Sequence, residues 1–244
     1  MQISNLKLAI MVPLSFPMVP ASFFHSFVEM ERPNFTYIHA DNGNIVDLRN
    51  NLIETALAQG CTHGIQLDVD QVYHPKTITQ LLSHNLPIVG ALVHRRYMPF
   101  DSLILRKVPI DANTDGYESV DEWEPDSLVE CDATGGGCMM FNMDVFRKLP
   151  YPWFQSIKQP SGQIIGEDIY FCQKAKAAGY KIFVDTSVPA GHLATLVVNT
   201  ATNRLYRAVK NKQAINQALK IDNPIDPAID HYDSNKGDFV DGGK

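Results

Sequence analysis

The stretch "HGIQLDVDQVYHP", residues 63–75, decides how this chain is read. An apolar run from His63 to Val69 has the character of a strand, and the chain turns soon after it at Pro75. Two aspartates one residue apart, Asp68 and Asp70, stand where that strand ends. A strand this apolar belongs inside a sheet covered on both faces, so the carboxylates are displayed at the sheet's edge.

Outward from that stretch, strand and helix signals alternate. "KLAIMVPL" (7–14) and "FTYIHAD" (35–41) read as strands, and "ASFFHSFVEME" (21–31) sets Phe23, Phe24, Phe27 and Val28 on one helical face. "IVDLRNNLIETALAQG" (45–60) is an amphipathic helix stopped by Gly60. "PKTITQLLSHN" (75–85) reads as a helix and "LPIVGALVH" (86–94) as a strand. Strands alternating with helices of this length predict an α/β fold, a Rossmann-like αβα sandwich around a mostly parallel central sheet.

The pattern changes between 98 and 130, where "DANTDGYESVDEWEPD" is acidic and turn-rich and predicts a small antiparallel or irregular insert. Regular signals return in "GGGCMMFNMDVFRKL" (135–149), "GEDIYFCQKAKAAG" (166–179) and "YKIFVD" (180–185). From 222 onward the chain is rich in proline and aspartate without periodicity. One domain over 1–221 and a polar C-terminal tail over 222–244, surface-wrapped or disordered, is the expected division.

Composition narrows the function classes. With 244 residues, 45% hydrophobic and 20% charged, the chain can bury a sizeable core. A net charge of −6 makes nucleic acid an improbable partner, since such proteins show a basic face. The four cysteines (Cys61, Cys131, Cys138, Cys172) are scattered without a CxxC pair, which predicts free thiols in a reducing compartment. No window approaches the roughly 18 apolar residues of a membrane helix, and the N-terminus does not read as a signal peptide. A cytoplasmic protein without a membrane span is expected; no heptad or large apolar stripe speaks for any oligomeric state.

Ligands of open α/β sheets gather at the carboxyl ends of the strands. Asp68 and Asp70 there could share a hard cation, or could merely cap the helix that begins near His74. The glycine run Gly135, Gly136 and Gly137 either lets backbone approach a ligand closely or is a flexible entry to a strand. Glu167 and Asp168 open a helix, where carboxylates are favoured in any case. His192 is expected in a loop after the strand 180–185. Arg95, in "VHRRYMPF" (93–100), either contacts phosphate or belongs to a solvated basic turn. Trp153 either stacks on a sugar face or sits in the core.

Taken in order, these segments resemble the GT-A fold of nucleotide-sugar glycosyltransferases, family 2-like members in particular. "LAIMVP" (8–13) resembles the strand that opens the nucleotide site, and Arg49-Asn50 an "RN" pair on the helix before the D-x-D strand. "LDVD" (67–70) is similar to the D-x-D itself, and "GGGCMMF" (135–141), the run Glu167–Asp185 and the pair Gly191-His192 follow as in that group. The resemblance covers roughly residues 7–195.

The resemblance implies a metal-dependent glycosyltransferase that moves a sugar from a nucleoside-diphosphate sugar, of UDP or GDP type, to a hydroxyl-bearing acceptor. It implies Mn2+ or Mg2+ held directly by Asp70, with Asp68 contacting the ribose or the metal through water and His192 closing the shell. Pro13, Arg49 and Asp68 would line the nucleoside, Gly136, Gly137 and Arg95 the donor, and Asp168 would take the acceptor proton with Glu167 orienting a substrate. An inverting outcome is favoured over a retaining one. The rival readings are a sugar-nucleotide nucleotidyltransferase and a non-catalytic nucleotide- or carbohydrate-binding domain. The first lacks its expected glycine-rich loop, since "MVPLSFPMVP" (11–20) has no glycine.

Overall fold

The computed structural model describes residues 5–15, 17–97, 99–111, 114–195, 198–218, 232–233 and 238–239. The chain divides into two compact units, residues 1–194 and 195–244.

In the first unit β1 (Leu8–Leu14), helix α1 (Ala21–Glu29), β2 (Phe35–Asp41) and α2 (Ile45–Ala58) build two parallel crossovers. Asn44 caps α2 by accepting from the Asp47 N–H, and Gly60 follows its C-terminus at φ +69, a conformation glycine takes without strain. Then come β3 (His63–Leu67), the short β4 (Gln71–Tyr73), α3 (Thr77–Ser83) and β5 (Ile88–Val93). The region read as an insert forms an antiparallel hairpin, β6 (Leu105–Asp111) with β7 (Thr114–Ser119), followed by β8 (Leu128–Cys131). Next are β9 (Cys138–Asn142), α4 (Asp144–Lys148), the small ladder of β10 (Ile157–Lys158) with β11 (Ile164–Ile165), α5 (Glu167–Ala177) and β12 (Ile182–His192).

Eight strands form one sheet in the order β2-β1-β3-β9-β5-β12-β4, with β8 also paired to β12. Strands β2, β1, β3, β5 and β12 run one way, and β9, β4 and β8 run against them. The expected α/β architecture with a mostly parallel sheet is present. Apolar clusters fill both faces, one around Phe141, Phe146, Phe154 and Phe171, the other around Ile10, Leu67, Ile78 and Met140. Trp153 belongs to the first cluster: it is 7% exposed and its Nε1–H points at the Phe146 and Leu149 carbonyls. Asn50 holds the same loop, accepting from the Trp153 and Phe154 N–H groups. Trp153 is therefore core, with its one polar atom satisfied. All four cysteines are buried and free.

The second unit contains α6 (Thr200–Ala218) and the short antiparallel pair β13 (Tyr232–Asp233) and β14 (Asp238–Phe239). Most of the tail read from 222 onward lies outside the described residues. Among the described residues, no helix is long and apolar enough to cross a membrane.

Candidate active site

Strand β3 ends at Leu67, and Asp68 and Asp70 lie between it and β4 on the carboxyl side of the sheet. They do not cap α3. That helix is preceded by Lys76 and has no side-chain cap, so the capping reading of the aspartates is set aside.

Arg49 is the hub of the site. It is buried on α2 and reaches four acceptors: Asp68 Oδ2 at 2.9 Å, Gln66 Oε1 at 2.9 Å, Glu167 Oε1 at 3.1 Å and the Gly136 carbonyl at 3.2 Å. The planar guanidinium fork makes such a divergent set possible, which a lysine ammonium does not. Burial works against its charge, but Asp68, Glu167 and Asp168 more than compensate and raise its pKa. One helix, one strand end, the glycine run and the start of α5 are thus tied to one cation.

The glycines earn their place by contact with side chains. A Cβ on Gly137 would collide with Gln71 Nε2 and come within 2.9 Å of Asp68 Oδ2; one on Gly136 would lie 3.1 Å from Arg49 Cζ and 3.3 Å from Asp168 Cβ. Tyr73 Oη lies 2.7 Å from the Asp68 carbonyl and 2.9 Å from that of Gly137, bridging the two loops.

Asp68 has one oxygen on Arg49, while its Oδ1 is buried with no hydrogen-bond partner. Asp70 makes a different pair of contacts, its Oδ2 lying 2.6 Å from Arg96 Nη1 and 3.4 Å from His192 Nε2. The hydrogen bond with His192, and the Arg96 charge, hold the Asp70 carboxyl below its usual range despite burial, and Asp70 in turn raises the His192 pKa. His192 Nδ1 is 2.9 Å from the His94 carbonyl. A carbonyl only accepts, so Nδ1 carries a proton and Nε2 faces Asp70. Metal-ligating histidines are oriented in this way.

Asp168 opens α5 beside Glu167. Its Oδ1 accepts from the Ile169 N–H at 2.7 Å, and Oδ2 lies 3.4 Å from the Gly136 N–H. Burial and the neighbouring Glu167 push its carboxyl up to about 6, with Arg49 opposing.

The structure therefore brings Arg49, Asp68, Gly136, Gly137, Glu167 and Asp168 into one cluster and sets Asp70 and His192 next to each other. One placement differs from the sequence expectation. His192 is not in a loop; it is the last residue of β12, opposite Gln71 of β4. The arginine at Asp70 is Arg96, whereas Arg95 lies over the Tyr97 ring, 5.9 Å from its centroid, with its Nε buried and unpartnered. Among the described residues no three His, Cys, Asp or Glu side chains stand together to hold a metal; Asp68 pairs with Arg49, and Asp70 with His192 and Arg96. Pro13 sits near the end of β1, opposite Ala40 of β2. Arg96, Gln66, Gln71 and Tyr73 carried no motif of their own. Only the position of Gln66 on the D-x-D strand, and of Arg96 beside Arg95, could have suggested them.

No family model and no curated protein matches the sequence. Solved structures do. A197 from STIV matches with a TM-score of 0.55 and 15% identity, over 77% of this chain and 86% of that one. GalNAc-T7, solved with UDP, GalNAc and Mn2+, matches with a TM-score of 0.54 and 12% identity over 80% of this chain. Only 45% of that GalNAc-T7 chain is covered, so the present chain spans less than half of it. At these identities the likeness is one of fold. The chain has a GT-A-like α/β fold, which a glycosyltransferase shares.

Proposed function

We propose that this chain is a metal-dependent glycosyltransferase that moves a sugar from a UDP- or GDP-type nucleotide sugar to a hydroxyl acceptor. The observation that carries this reading is the pairing of Asp70 Oδ2 with a His192 whose Nδ1 is committed to a carbonyl. A carboxylate and an imidazole lone pair aimed at one point require a proton or a cation between them. Asp70 and His192 would hold Mn2+ or Mg2+, a cation that takes one or two protein ligands and completes its shell with water and substrate phosphates, while Asp68, tied to Arg49, would face the nucleotide. When bound, such a cation would offset the charge that develops on the leaving diphosphate.

The protein's own residues divide the remaining work. Arg49 fixes Asp68 and Glu167 and keeps the Gly136 carbonyl in place, so the site is pre-organised without substrate. Asp168, with its carboxyl near 6, is ionised at neutral pH yet basic enough to accept the acceptor hydroxyl's proton as it attacks. That role corresponds to an inverting transfer. Glu167, held by Arg49, orients the acceptor or sugar. Gly136 and Gly137 keep the donor side open, and Arg96 supplies a cation close to the donor phosphates. Pro13 lies on the nucleoside side of the same sheet edge.

A second reading is a nucleotide- or carbohydrate-binding domain without catalysis, favoured by one observation: arginines already neutralise Asp68 and Asp70. Calorimetric titration of UDP and GDP, with and without Mn2+, tests the first. Binding of one nucleotide should require Mn2+ and weaken at least about tenfold in Asp70→Ala, a loss of about 1.4 kcal/mol. Metal-independent binding, or hydrolysis of no nucleotide sugar, would leave the binding-domain reading in its place.

A further inference from the structure

Strand β12 contains an irregularity that no feature of the active site explains by itself. Against β5, Asp185 faces Ala91 and Pro189 faces Leu92, so Thr186, Ser187 and Val188 are extra residues looped out of the ladder. Before this bulge the other neighbour of β12 is β8; after it, the neighbour is β4. At about 3.3 Å per residue, three residues amount to roughly 10 Å along the strand. Without the bulge His192 would overshoot Asp70 by that distance, and Val188 would occupy the place Gly191 holds opposite Val72.

The bulge is built around a single buried carboxylate. Asp185 is 2% exposed, and its Oδ1 accepts from both the Ser187 N–H at 2.9 Å and the Ser187 hydroxyl at 2.5 Å. Its Oδ2 lies 2.6 Å from His84 Nε2, just past the C-terminus of α3, and Gln80 of α3 donates to the Ser187 hydroxyl. Thr186 completes the turn by exchanging hydrogen bonds with Ser127: its N–H donates to the Ser127 carbonyl and its Oγ1 accepts from the Ser127 N–H. A buried charge with this many designed partners in a strand interior is costly unless it holds a specific geometry.

We propose that Asp185 is a positioning residue: it sets the three-residue bulge of β12 and thereby brings His192 Nε2 against Asp70. The importance of that register for metal rests on the glycosyltransferase reading, but the register itself does not.

The test exploits a built-in reporter. A Cβ at Gly191 would lie 3.9 Å from Val72 Cβ, within the range a disulfide spans. Val72→Cys/Gly191→Cys should therefore cross-link on oxidation, as read by peptide mapping. Adding Asp185→Ala should abolish that cross-link and permit Val72→Cys/Val188→Cys instead, whereas Asp185→Asn, which keeps the Oδ1 acceptor, should retain the first pairing. Mn2+ affinity, followed by the spectrum of free Mn2+, should fall at least tenfold in Asp185→Ala and recover largely in Asp185→Asn. A folded Asp185→Ala protein that keeps the Val72–Gly191 cross-link overturns the proposal. Should Asp185→Ala not fold, Ser187→Ala decides. It leaves the carboxylate paired with His84, and severalfold slower cross-linking supports the proposal while an unchanged rate overturns it. Mn2+ binding by no variant, with the cross-links behaving as stated, would count against the metal reading and not against the register.

Discussion

Replacing Asp168 by asparagine should make the protein more stable at neutral pH while removing the proposed transferase activity. The carboxyl is shifted from the ordinary 3.8 to about 6 by burial and by Glu167. Two pKa units, at about 1.4 kcal/mol each, correspond to roughly 3 kcal/mol of preference for the protonated form in the folded protein. That preference stabilises the fold fully below pH 3.8 and is lost as pH rises through 6. At pH 8 the wild type thus carries an ionised carboxylate that the fold disfavours, and asparagine does not. The amide can still accept from the Ile169 N–H, but its NH2 faces the Gly136 N–H and gives back about 1 kcal/mol. A net gain of about 1–2 kcal/mol remains. Urea unfolding at half-unit steps from pH 4 to pH 8, followed by tryptophan fluorescence, measures it. The gap between variant and wild type should be small at pH 4, widen to about pH 6 and then level off. A gap independent of pH, or a wild type more stable than the variant at pH 8, would refute the reasoning. It would mean that Arg49 outweighs burial and that Asp168 is an ordinary ion-paired carboxylate. By the same logic, the proposed transfer should slow as pH drops below about 6, since Asp168 in the proposed base role must be ionised.

Arg49→Met should cost about 1–3 kcal/mol in chemical denaturation, because it leaves the partly buried Asp68 and Glu167 without their cation. Arg49→Lys should recover only part of this, since one ammonium cannot reach four divergent acceptors. Gly137→Ala should lower stability by about 1–3 kcal/mol and weaken Mn2+-dependent nucleotide binding, because its methyl displaces Gln71 and crowds Asp68. A variant with unchanged melting and binding would mean the loop gives way freely. Arg96→Ala should tighten Mn2+ binding by about two- to fivefold, the value of an exposed ion pair of up to about 1 kcal/mol that no longer competes for Asp70. Weaker Mn2+ binding in that variant would show that Arg96 holds Asp70 in place for the metal.

The order of elements was legible because it rests on local periodicity. Residues 8–14, 35–41 and 63–67 are strands where apolar runs stand, and helices 45–58 and 167–177 stop before Gly60 and Gly179, both at positive φ. The carboxyl-edge position of Asp68 and Asp70 followed from the same pattern, since a strand followed by a helix leaves its end at that edge. The triple glycine was visible too, although which side chains would press against it was not. What only the tertiary structure decided are pairings between residues far apart in the chain. Strand β9 enters between β3 and β5 against their direction, and no local signal distinguishes an antiparallel central strand from a parallel one when both are buried on both faces. "QVY" (71–73) is too short to carry a strand pattern of its own, and it pairs as a strand with the end of β12. Arg49 is a helix residue until four acceptors from three other segments converge on it, and it is Arg96 that pairs with Asp70 while its neighbour Arg95 lies over Tyr97. His192 reaches Asp70 through a bulge whose hydrogen bonds come from α3 and the 124–127 loop. Periodicity records which residues face the core; register is set by the simultaneous satisfaction of buried donors and acceptors across the sheet, and that exists only once the chain has folded.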